Sequence, residues 1–234
     1  MEKSLQTRIG YFFVGVLIIT ILGFYKTYLI KFPDFAGFTS AHHFHGAVAI
    51  TWILMLIVQP FLVRAGKLNI HRIVGKFSYV VMPLFVISLF FVVKAGYERN
   101  IKTLSEENTL AAMTNGIPEM VFMTLLFGLG MYYKKKTAFH LRFLSSTGII
   151  ILGPGLGRFL GVNLQLPLPI IILLMISLTA GIALVWMIMD IRQKKSAFPM
   201  AILLIICLVA AFIGSHGHSA WWQDFAGLFV KVFF

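Results

Sequence analysis

Residues 167–190, PLPIIILLMISLTAGIALVWMIMD, carry no charge until their last position. About twenty apolar residues in a row is what an α-helix needs to cross the hydrocarbon of a bilayer. Blocks of this kind recur at roughly 10–31, 42–63, 71–94, 117–133, 140–161, 167–190 and 198–215. In lipid no water is at hand to pair with backbone N–H and C=O groups, so each span must close its hydrogen bonds internally, as a helix. The chain therefore reads as an all-α integral membrane bundle of about seven transmembrane helices, a single domain over residues 1–234.

Composition agrees. The chain is 59% hydrophobic and 12% charged, whereas a soluble domain is roughly a quarter charged. The formal net charge of +12 suggests a phosphate-rich partner at first sight. Most Lys and Arg residues, however, lie between the apolar blocks, where they set orientation in the membrane rather than bind nucleic acid. Thirteen of the twenty, from Lys3 and Arg8 to Arg192, Lys194 and Lys195, fall on one side of the predicted bundle. Six of the eight acids (Asp34, Glu98, Glu106, Glu107, Glu119, Asp224) fall on the other. This bias predicts a cytoplasmic N-terminus and an outer C-terminus. The first block is too long for a signal-peptide core and lacks a small-residue cleavage site, which makes it a retained helix. Cys207 is the lone cysteine and lies inside a span, so no intrachain disulfide forms.

Local signals refine the spans. Asn115 is placed to cap the fourth helix, with Pro118 in its first turn. Pro60, Pro83 and Pro154 fall inside spans and predict kinks or local unwinding. Gly153, Gly157 and Gly161, four apart, predict close packing against a neighbouring helix. Residues 97–116 form the one long polar connection. The C-terminal WWQDFAGLFVKVFF is expected at the outer interface, where tryptophans anchor.

The histidines fall into two layers on this topology. His42, His43 and His45 open the second span, and His216 and His218 close the seventh on the same, outer side. Glu119 and Arg158 lie at about that depth. Neutral imidazole is a common ligand for zinc, iron or copper, often completed by a carboxylate. His42 or His43, His45, Glu119 and His216 or His218 are thus candidate metal ligands for a tetrahedral or open site. The plainer alternatives are interfacial histidines bonded to loops or headgroups, an acid offsetting a helix dipole, and an arginine reaching to the interface. The inner layer is His71 and His140, each starting a span among basic residues. They suit either the axial ligands of a haem b or contacts to an anionic lipid. Trp52 and Gln59 share one face of the second span and either line a crevice or pack. Ser145, Ser146 and Thr147 lack His–Asp partners at their level, which leaves nucleophilic catalysis unsupported.

The stretch HFHGAVAITWILMLIVQPFLVRAGKLNIHRIVGKFSYVVMPL, followed by FHLRFLSSTGIIILGPGLGR, resembles a group of uncharacterised bacterial multi-pass membrane proteins. They share an HG…W…QP…HRxxG pattern and a later His-x-Arg segment. The likeness covers about residues 42–160 and places His45, Gly46, Trp52, Gln59, Pro60, His71, Arg72 and Gly75 at the matching positions. It implies a bacterial inner-membrane location and no particular activity. Three functions follow as expectations. One is an outward-facing metal site performing hydrolytic or redox chemistry on a lipid-soluble substrate. Another is a di-haem electron carrier. The last is a transporter or lipid-binding scaffold whose histidines relay protons or hold headgroups.

Overall fold

The computed structural model describes residues 3–234. The helices are α1 (Lys3–Tyr25), α2 (Ser40–Arg64), α3 (Leu68–Asn100), α4 (Glu106–Ala111), α5 (Gly116–Tyr132), α6 (Thr137–Arg158), α7 (Leu168–Arg192), α8 (Phe198–Ser215) and α9 (Ala220–Phe233). No strand occurs among the described residues. Seven helical segments are long and apolar enough to cross a membrane, α4 and α5 together forming the fourth. The protein is a multi-pass membrane bundle.

Several boundaries differ from the sequence expectation. The first helix stops at Tyr25 rather than near residue 31, and the chain turns through a 3-10 segment at Leu29–Lys31. The connection at 97–116 is mostly helical. The third helix runs on to Asn100, and α4 leads through a 3-10 turn into α5. Asn115 does not cap, because it is itself in the right-handed helical region and makes no capping hydrogen bond. The true cap lies upstream, where the Ser105 hydroxyl accepts from the Asn108 N–H ahead of two acids. Pro60, Pro83 and Pro154 sit within continuous helices, and only the last is followed by a wider, π-type stretch at Phe159–Asn163.

The sixth helix is the axis of the bundle. Eleven of its 22 residues are buried, and it packs against α1, α5, α7 and α8. Helix association in lipid relies on tight packing because hydrocarbon solvates Leu as well as a neighbour does. Small residues supply that tightness. A Cβ on Gly23 would sit 2.0 Å from the Gly155 carbonyl oxygen, and one on Gly155 would sit 2.8 Å from the Thr20 Cα. The backbones of α1 and α6 therefore touch at Gly155. The expected stripe of Gly153, Gly157 and Gly161 packs against α7, meeting the side chains of Met175 and Ile171. Apolar residues facing outward, such as Leu173, Val185 and Leu208, suit lipid.

The ninth helix is too short to span and packs alongside α4. Trp222 and Ala226 pack with Leu110, Met113 and Ile117, and Trp222 Nε1 donates to the Leu110 carbonyl at 2.9 Å. Trp221, Phe225, Leu228 and Val232, at helical spacing on an adjacent face, remain exposed, as expected of a helix bedded in a membrane interface.

Candidate functional site

Two ends of the bundle differ in chemistry. At the His-rich end α1, α3, α6 and α8 finish and α2, α4 and α7 begin. At the opposite, lysine-rich end lie Lys67, Lys76 and Lys134 to Lys136.

The five histidines of the first end do not converge. Among the described residues no three His, Cys, Asp or Glu side chains come together to hold a metal ion. Each imidazole is taken up locally instead. His43 pairs with the Tyr28 hydroxyl and lies against Phe35. His216 bonds the Phe212 carbonyl of its own helix at 2.8 Å and stacks on that ring. His218 reaches Glu107 at 3.2 Å on the surface. The physical reason is that the helical repeat turns His43 away from the face shared by His42 and His45, while after α8 His216 folds back onto Phe212 and His218 reaches α4.

What the end does assemble is cationic. An open cavity of about 330 Å³ is lined by His42, Arg99 and Arg158 together with Phe24, Phe38 and Val92. The Arg158 guanidinium lies 4.3 Å over the Phe24 ring, a geometry that favours a cation on an aromatic face. Arg99 and Arg158 feel each other's charge, and Arg158 also acts on Glu119, His42 and His45. Neither arginine closes an ion pair with a carboxylate among the described residues. Glu119 bonds the Asn115 carbonyl through its backbone N–H, and its side chain makes no hydrogen bond among the described residues.

Hydrogen bonding fixes the roles of two histidines at this end. The Thr39 N–H donates to His42 Nδ1 at 3.2 Å, a capping arrangement with His42 in the third helical position. The His42 proton is then on Nε2, leaving a donor available to the cavity. At His45 the pattern reverses. The Ser88 hydroxyl donates to the Phe85 carbonyl at 2.7 Å, so its oxygen accepts from His45 Nδ1 at 2.9 Å. His45 Nε2 is left as an unprotonated acceptor.

The chain matches no family model, no curated protein and no solved structure.

From His45 a polar seam descends α2. His45, Trp52 and Gln59 are seven residues apart, which keeps them on one face at steps of about 10 Å. His45 and Gln59 bond α3, and Trp52 bonds α6. Trp52, buried at 2% exposure, packs rather than lining a crevice, and its Nε1 donates to Thr147 Oγ1 at 3.0 Å. Gln59 Nε2 donates to the His71 carbonyl at 3.2 Å. Gln59 Oε1 and His71 Nδ1 are buried with no partner in the protein. His140 Nδ1 bonds the Gly130 carbonyl at 2.8 Å. Ser145, Ser146 and Thr147 are all buried, and Ser146 and Thr147 bond carbonyls of their own helix.

Sequence reasoning passed over three participants. Arg99 was hidden in what read as a loop. Arg142, counted with the flanking charges, is 3% exposed and paired with Asp190 on α7 at 2%. The signal for that pair was an acid at the end of an apolar span, which requires a partner.

Proposed function

We propose that this multi-pass membrane protein binds an oxyanion in the cavity shared by Arg99, Arg158 and His42. The observation that carries the reading is that two guanidinium groups line one cavity without a carboxylate to close an ion pair. Both arginines are exposed at an open cavity, and two like charges facing one concavity concentrate positive potential that an anion relieves. Guanidinium forks match carboxylate and phosphate oxygens bidentately, and the His42 Nε2–H adds a neutral donor. Against the single carboxylate of Glu119, the two arginines leave one positive charge in surplus. Among the functions expected from sequence this favours a binding or transport protein over a metal enzyme, because His45 Nε2 and Glu119 alone fall short of a tetrahedral ligand set. The charge bias supports a cavity opening on the non-cytosolic face of the membrane.

The test is titration of detergent-purified protein with inorganic phosphate and acetate. Loss of a charged hydrogen-bond donor costs about 1.5–3 kcal/mol, so Arg99→Gln and Arg158→Gln each weaken binding by roughly tenfold or more. Affinity unchanged in both variants contradicts the reading.

A further inference from the structure

The walls of the cavity decide which oxyanions suit it. Arg99, Arg158 and His42 share its lining with Phe24, Phe38, Val92, Val93 and Met113. A small inorganic ion gains nothing from such walls, whereas an apolar body gains about 25 cal/mol for each Å² it removes from water. Size points the same way. A volume of about 330 Å³ is at the lower end for small-molecule sites, yet many times the ~30 Å³ of one water. It holds a headgroup and several further carbons.

The third helix sets the order of the two surfaces. Val92, Gly96 and Arg99 lie at i, i+4 and i+7, and so share one face, and all three line the cavity. Val93 beside them is pressed against α5, where a Cβ on Gly116 would meet its Cγ2 at 2.3 Å. One face of α3 thus passes from aliphatic to cationic over about 10 Å of helix rise. Arg158 repeats this on α6, its guanidinium resting on Phe24. These boundaries occur at the ends of membrane-spanning helices, the depth at which lipid headgroups meet their chains.

We infer that the ligand is an amphiphile whose oxyanion, a fatty carboxylate or a lipid phosphate, sits between Arg99 and Arg158 while its first carbons lie against Val92, Phe24 and Phe38. This rests on the anion-binding reading above and names its substrate class.

The experiment compares four soluble probes on detergent-purified protein by calorimetric titration: decanoate, acetate, dihexanoylphosphatidic acid and inorganic phosphate. Dihexanoylphosphatidylcholine controls for partition into the micelle. Decanoate is expected to bind at least about tenfold more tightly than acetate, or dihexanoylphosphatidic acid than phosphate, since burying two CH₂ groups suffices at ~0.8 kcal/mol each. The larger of the two gains identifies the headgroup. Val92→Asn is expected to reduce that gain. Arg99→Gln and Arg158→Gln, each checked for an unaltered gel-filtration profile, weaken the chain-bearing anions. If acetate and phosphate bind as tightly as their chain-bearing counterparts, and still depend on the arginines, the amphiphile inference fails and the anion site stands. If no probe responds to either arginine, or the zwitterionic control binds equally well, both fail.

Discussion

Arg142 on α6 grips Asp190 on α7 with two nitrogens, Nε donating to Oδ2 at 2.5 Å and Nη2 to Oδ1. Nη1 donates to the Ala138 carbonyl and Trp186 lies against the guanidinium, so the buried charges are compensated on several sides. Breaking a buried pair by removing one partner strands the other charge, at a cost of about 3–5 kcal/mol. Asp190→Ala is expected to lower the thermal unfolding midpoint in detergent sharply. The double variant Arg142→Met, Asp190→Leu is expected to recover much of the loss. A single variant as stable as the parent would show that the pair does not join α6 to α7.

The contact of α1 with α6 makes a sharper prediction because it has no side chain to move. Gly23→Ala forces a methyl group into the Gly155 carbonyl, and over-packing typically costs about 1–3 kcal/mol. Gly128, exposed on α5 with nothing within 4 Å of a Cβ, is the control. There Ala is neutral or stabilising by up to about 1 kcal/mol. Equal unfolding midpoints for the two variants would contradict the close approach.

The tryptophan of the α2 seam is satisfied by one hydroxyl. Thr147→Val removes the acceptor for Trp52 Nε1 and leaves a buried N–H unpaired, which costs about 1–3 kcal/mol. Adding Trp52→Phe removes the stranded donor, so the two changes should be less than additive in a double-mutant cycle. Strict additivity would mean the bond contributes nothing.

Much of the bundle was legible in the sequence because bilayer thickness imposes a length on apolar blocks that no tertiary contact overrides. The seventh span, 198–215, appears as expected, and His42, Glu119 and Arg158 do lie within reach of one another's charge or of a common cavity. Ligand convergence was not legible. Depth follows from position along a span, but azimuth depends on packing, and that turned His43 to Tyr28 and His218 to Glu107. Arg99 was missed for a related reason: the polar composition of 97–116 reads as loop, while Ser105 restarts a helix that local sequence encodes only through its cap.

Orientation is testable with the native cysteine removed. In a Cys207→Ala background the charge bias predicts that Glu107→Cys is labelled by an impermeant maleimide from outside intact cells and Lys135→Cys only after permeabilisation. Glu107 is a suitable reporter, its side chain being 63% exposed. The reverse pattern would invert the topology and put the cavity on the cytosolic side.

The most direct measurement of the central claim is a crystal structure of the protein grown with a soluble anionic amphiphile such as decanoate. The account predicts density for a carboxylate within hydrogen-bonding distance, about 2.7–3.2 Å, of both the Arg99 and Arg158 guanidinium groups, with the chain running toward Val92. A cavity filled by water alone, or the two arginines turned to separate acids, would contradict it.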